Sequence, residues 1–148
     1  MFKHILIPTD GSAVAAKAVK AAVTFAKETG ARVTGYYAVE SGSHYPVYGE
    51  GYLIDPKFAA ELERRAVAIG RRRVAAIGKV AKAAGVPFRP LVTKAPSPYE
   101  GIIAAAKLRS CDAIFMASNG RRGISRLVMG SVTNAVLTRS QIPVVVYR

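Results

Sequence analysis

Short apolar runs alternate with longer helix-patterned segments from one end of this chain to the other, and that alternation constrains the fold more than any other feature. His4–Pro8 is a run of buried-strand type. Asp10-Gly11-Ser12 supplies a turn and an N-cap, and the alanine-rich residues 13–28 read as a helix stopped by Gly30. Residues 32–39 form the next strand. Asp55-Pro56 sets an N-cap before a first-turn proline, so a helix is expected over Pro56–Ala84, closed by Gly85. A strand over 86–93, a helix over 98–108, a strand over 112–117, a helix over 131–140 and a strand over 143–148 complete the pattern. Five strands separated by helices need crossover connections, hence a parallel sheet covered on both faces. Such a sheet takes its ligand outside the carboxyl ends of the strands, where the strand order reverses. The residues that follow strands are therefore the informative ones.

A chain of 148 residues fits one domain, and 51% hydrophobic residues imply a packed core. Cys111 is the one cysteine, which excludes an intrachain disulfide and a cysteine metal motif and favours a reducing compartment. No segment has the length of a membrane span, and the N-terminal apolar run is too short for a signal peptide, so a cytoplasmic location is expected. The net charge of +13 suits an anionic partner, whether nucleotide, nucleic acid or membrane surface. Residues 41–55 carry Gly42, Pro46, Gly49 and Gly51 with Tyr45, Tyr48 and Tyr52, a long loop of the kind that forms lids or binding elements. Of the two histidines, His4 reads as structural and His44 as solvated.

Helix Pro56–Ala84 sorts its charges. Arg64, Arg65, Arg71, Arg72, Lys79 and Lys82 fall within a sector of about 120°. Leu62, Ala66, Ile69, Ile77 and Val80 fall opposite as a core stripe. Arg73 falls among the core residues, where snorkelling or a bend near Gly70 would accommodate it. The basic stripe could meet nucleic acid, but no aromatic residues interleave with it, and a solvated helix face is the simpler reading.

The strongest chemical signal follows the fourth strand, over residues 117–131. Gly120 and Gly123 allow backbone conformations that turn N–H groups inward as an anion nest. Gly130-Ser131 opens a helix whose free N–H groups and partial positive charge suit phosphate. Arg121, Arg122 and Arg126 add charge, and no Asp or Glu occurs over 113–148. No Walker A or dinucleotide fingerprint is present, no Gly-x-Ser-x-Gly elbow is present, and no carboxylate lies in the loop to activate water. The loop is a cradle without a base, so binding with slow or absent hydrolysis is expected, with no catalytic residue.

This stretch resembles the ATP-binding motif of the universal stress protein family: glycine, two residues, glycine, nine residues, glycine, then serine or threonine. Gly120 stands at the second glycine, nine residues follow, and Gly130-Ser131 complete the motif; Ala117 replaces the first glycine. The opening His4-Ile5-Leu6-Ile7-Pro8-Thr9-Asp10-Gly11-Ser12 and the ending from Ser131-Val132-Thr133 to Pro143-Val144-Val145-Val146 resemble the family too. The resemblance implies a doubly wound five-stranded parallel sheet of order 3-2-1-4-5 with about four helices, of the adenine-nucleotide α-hydrolase-like kind, in one domain over 1–148. It implies that Pro8, Thr9 and Asp10 contact adenine and ribose, with Asp10 accepting from a ribose hydroxyl or helping to hold a metal. It places Ala38 on adenine, Met116 and Ala117 beside the ribose, and Gly120, Arg121, Gly123, Gly130, Ser131, Val132 and Thr133 around the phosphates. ATP with Mg2+ is the implied ligand. The family also implies a homodimer through the last strand, Val144–Tyr147, and an unidentified protein partner that reads the nucleotide state. A non-nucleotide scaffold of the same fold is the competing reading, and Ala117 is the residue in its favour.

Overall fold

The two longest helices are each started by a capping side chain and stopped by a left-handed glycine. The computed structural model describes residues 1–41, 55–119 and 128–148. Strand β1 (His4–Pro8) leads into helix α1 (Ala13–Thr29), where Ser12 accepts from the Ala15 amide at 3.1 Å and Gly30, at φ 70°, closes the C-terminus. After β2 (Arg32–Glu40), Asp55 caps α2 (Pro56–Ala84) by accepting from the Lys57 amide at 2.9 Å. Then come β3 (Phe88–Ala95), α3 (Pro98–Leu108), β4 (Ala113–Ala117), α4 (Ser131–Arg139) and β5 (Val144–Tyr147).

All four strand pairings are parallel, in the order β3-β2-β1-β4-β5. Ile5, Ile7 and Phe115 face α1 and α2, and Leu6, Tyr36 and Met116 face α3 and α4, so the period of two along each strand sends alternate residues to opposite layers. The doubly wound sheet expected from the alternation is the one observed. No helix among the described residues is long and apolar enough to cross a membrane. Residues 42–54, which hold the tyrosine-rich segment and His44, lie outside the described residues.

Two expectations shift. Strand β3 begins at Phe88 rather than Val86, because the Val86 amide donates to the Ala81 carbonyl at 2.9 Å in the cap that ends α2. It runs on to Ala95, paired with Glu40. Of the expected α2 stripe, Ile77 is buried and Val80 packs against the core, but the fully buried line is Gly70, Val74, Ile77 and Ala81, and Leu62, Ala66 and Ile69 are not on it. Ile69 is 37% exposed, and no residue over 56–69 is fully buried. Twenty-nine helical residues reach about 43 Å, beyond the roughly 30 Å of the nine-residue β2 beneath them. The glycines of α2 serve close approach: a Cβ at Gly70 would stand 2.6 Å from the Tyr37 ring, and one at Gly78 2.8 Å from Phe88. The basic residues of the α2 stripe are all exposed, and Arg65 pairs with Glu61 at 2.9 Å, as a solvated face would.

At the amino end of the sheet, His4 is buried and its Nε2 lies 2.8 Å from Thr34 Oγ1. Burial, with Arg32 nearby, holds its imidazole below the usual histidine range. Burial pushes the Cys111 thiol up to about 11, so Cys111 acts as a core residue.

Candidate functional site

The strand order turns between β1 and β4, and there the sheet opens. Strand β1 pairs with β2 along its whole length, through Pro8 with Tyr36, but pairs with β4 only through Ile5–Ala113 and Leu6–Ile114. Both strands continue past that point, β4 paired with β5 as far as Ala117. The cause is local. Thr9 donates its N–H to Tyr36 of β2 at 3.0 Å, so odd positions of β1 face β2 and the nitrogen of Pro8 faces β4. Proline has no N–H, and the next ladder bond is not made. Pro8 therefore ends the β1–β4 ladder and opens the crevice.

The turn after β1 holds itself. Gly11, at φ 75°, donates to Thr9 Oγ1 at 3.0 Å, and Ser12 donates to Asp10 Oδ1 at 2.9 Å. Asp10 thus orders the start of α1 with one carboxylate oxygen. Across the crevice, α4 begins without a capping side-chain hydrogen bond among the described residues. Gly130 is its N-cap and offers no side chain to the first amides. Its φ of −62° is open to any residue, so space rather than torsion favours glycine: a Cβ would lie 3.3 Å from the Ser118 carbonyl and 3.4 Å from Asn119 Cα. Gly130 N–H donates to Ser118 O at 2.8 Å, and Thr133 Oγ1 donates to Ala117 O at 2.9 Å. These two bonds hold the N-terminus of α4 against the end of β4.

The family model described as "Universal stress protein family" matches residues 1–148. A universal stress protein of Thermus aquaticus is 32% identical over 148 residues, covering all of both chains. Universal stress protein MJ0531 of Methanocaldococcus jannaschii is 30% identical, covering all of this chain and 83% of that one. The chain belongs to the universal stress protein family.

The fold agrees. The solved structure of protein MJ0577, 26% identical, superposes with a TM-score of 0.83 over 99% of this chain and 95% of that one. Two universal stress proteins with the same fold at lower identity were solved in complex with cAMP (20%, TM-score 0.68) and, from Archaeoglobus fulgidus, with dAMP (15%, TM-score 0.64). Both cover nearly all of this chain, at 99% and 100%.

Of the residues matched to the family motif, Pro8, Thr9 and Asp10 lie on one side of the crevice and Met116, Ala117, Gly130, Ser131, Val132 and Thr133 on the other. Gly120, Arg121 and Gly123 lie outside the described residues. Ala38 is partly buried at the carboxyl half of β2, on the α3/α4 face with Met116. Ala117 continues the α1-facing series of Ala113 and Phe115, so its methyl points away from the face that Ala38 and Met116 share. Thr133 is 3% exposed and Val132 packs into the core, so these two side chains are spent on packing. What the first turn of α4 can offer an anion is backbone N–H groups and the exposed Ser131 hydroxyl. Among the described residues, no group of three or more histidine, cysteine, aspartate or glutamate side chains could hold a metal ion.

Arg73, which the helix pattern leaves among core residues, reaches the β1 turn. A Cβ at Gly11 would overlap its guanidinium. Its Nε is shut from solvent and has no hydrogen-bond partner among the described residues. Pattern within α2 cannot show this contact, because the space it fills belongs to a glycine 62 residues earlier.

Proposed function

We propose that the protein binds ATP in the crevice between the carboxyl ends of β1 and β4 and serves a nucleotide-dependent stress-response or signalling role. The observation that carries this reading is the opening of the β1–β4 ladder beside the glycine N-cap of α4. An opened switch point supplies room, and unpaired helix amides supply a phosphate site. Gly130 supports the reading, since its N-cap position puts no side chain beside the first amides of α4 and the end of β4 leaves little room for one. The cAMP and dAMP complexes within the same fold support an adenine nucleotide as the ligand class.

In this reading Pro8, Thr9 and Asp10 flank adenine and ribose, Ala38 packs on adenine, and Met116 and Ala117 border the ribose. The amides of Ser131, Val132 and Thr133, the Ser131 hydroxyl, and Gly120, Arg121 and Gly123 hold the phosphates. Mg2+ binds chiefly through the phosphates, as a cation that needs only one or two protein carboxylates. Asp10 is the carboxylate at hand. Hydrolysis is slow or absent, and the nucleotide state is read by a protein partner in the cytoplasm. The protein forms a homodimer through β5, which is an edge of the sheet.

Gly130→Asp tests the phosphate assignment. Aspartate is a good N-cap, so the helix tolerates it, while its charge meets the phosphates head on. The expected result is ATP affinity reduced at least a hundredfold with circular dichroism unchanged. Gly130→Ala, which adds the Cβ without the charge, loses much less. ATP binding by Gly130→Asp equal to the parent's overturns the assignment.

A further inference from the structure

We propose that the cleft between α1 and α2 is a second ligand site, built for a small amphiphilic carboxylate. The cleft has a volume of about 480 Å³ and lies on the opposite face of the sheet from Ala38 and Met116. That volume is in the range of small-molecule sites, which are mostly apolar with a few convergent polar groups. Its walls are apolar, among them Val19, Ile77 and Val80. Its charged groups are Lys20, Arg72 and Arg73, and no carboxylate is among the described residues that line it.

Arg73 makes the strongest case. A buried polar atom without a partner calls for a missing one. Among the described residues the Arg73 Nε is such an atom; it is itself shut from solvent, so what Arg73 brings to the cleft is its guanidinium as a whole, held in the space left by Gly11 at the end that the β1 turn forms. A guanidinium fork matches the two oxygens of a carboxylate. Two hydroxyls stand at the same end. Thr9 Oγ1 accepts from the Gly11 amide and Ser12 Oγ accepts from the Ala15 amide, so both keep their O–H to donate. Lys20 and Arg72 are exposed at the rim, where they attract an anion and do not need to be buried to do so. Cationic end, hydroxyl donors and apolar walls together select an anionic head on an apolar body. A wholly polar anion leaves the walls unused, and a neutral apolar molecule leaves Arg73 unpaired. The site does not depend on the nucleotide reading, although Thr9 borders both places.

The test is a titration of the 15N-labelled protein with decanoate, followed by amide chemical shifts, with decanol as the neutral control. Saturable shifts are expected at Gly11, Ser12 and the facing amides of α1 and α2, with decanol at least tenfold weaker. Ala76→Phe, at an exposed position that lines the cleft, fills it and abolishes the shifts. Arg73→Gln weakens decanoate at least tenfold and decanol little. Because Arg73 packs against the turn, the double variant Lys20→Gln, Arg72→Gln supplies the same charge test at exposed positions and weakens decanoate several-fold. The proposal is overturned if decanoate gives no saturable shifts up to millimolar concentration. It is equally overturned if decanol binds as well as decanoate, or if Ala76→Phe leaves binding unchanged. ATP titration of the same variants is separate, so loss of one site is distinguishable from loss of the other.

Discussion

Thr133→Val isolates the bond that seats α4 at the crevice. Ser118 donates to Tyr147 at 2.8 Å and Ile114 to Pro143 at 2.9 Å, so even positions of β4 face β5 and the Ala117 carbonyl faces β1. There the ladder has already ended, and Thr133 Oγ1 supplies the missing donor at 2.9 Å. Valine keeps the branched shape at a position that is 3% exposed but leaves that buried carbonyl without a partner. Such a loss costs about 1–3 kcal/mol. At ~2.1 cal/mol/K of unfolding entropy per residue, 1 kcal/mol is worth roughly 3 °C in a chain this size, so Tm falls by about 3–9 °C. Scanning calorimetry reads this directly. Thr133→Ser keeps the donor and loses only a methyl, so it falls less than the valine variant. In the nucleotide reading, Thr133→Val also weakens ATP, because the amides of α4 are no longer held at the end of β4. A valine variant within about 1 °C of the parent, or a serine variant below it, refutes the reasoning.

Three further outcomes are expected. Pro8→Val restores an N–H that faces β4; the new amide at position 8 becomes protected from hydrogen exchange and ATP binding falls at least tenfold, and an unprotected amide contradicts the account of the crevice. His4 has a folded-state pKa below the ordinary 6.5, so its neutral form is the one the fold favours; its contribution is whole above 6.5 and is lost as the pH falls through the folded value. Urea unfolding at pH 7.5 and 5.5 should therefore show a loss in the parent that His4→Gln lacks. In β5 the ladder bonds use positions 143 and 147, which leaves Val146 with its amide on the open edge; Val146→Pro should yield a folded monomer by sedimentation, and a dimer that persists shows that β5 is not the interface.

The layered sheet and its order were legible because the governing signals are local or family-wide. Gly30 and Gly85 stop helices with their own backbone, in the left-handed conformation that glycine adopts without strain. The two flanks of the crevice were legible for the same reason, since Pro8-Thr9-Asp10 and Gly130-Ser131 are contiguous motifs. What lay beyond reach was whatever depends on a neighbour distant in sequence. The inward face of α2 keeps an apolar period through Val74, Ile77 and Ala81 but is turned from the line through Leu62 and Ile69, with Gly70 and Gly78 admitting the rings of Tyr37 and Phe88. Thr133 looks like a phosphate ligand in the motif, yet its hydroxyl is taken by Ala117. Pro8 reads as a strand end, and only the facing of its nitrogen toward β4 shows that it stops a ladder. Arg73 had no visible purpose until Gly11 was placed beneath it.

The central claim is an adenine-nucleotide site at the β1–β4 crevice, and calorimetric titration of nucleotide-free protein tests it most directly. ATP should bind at micromolar concentration, more tightly with magnesium than without, and GTP should not match it. Absence of ATP binding up to millimolar concentration, or GTP binding as tight as ATP, contradicts the account.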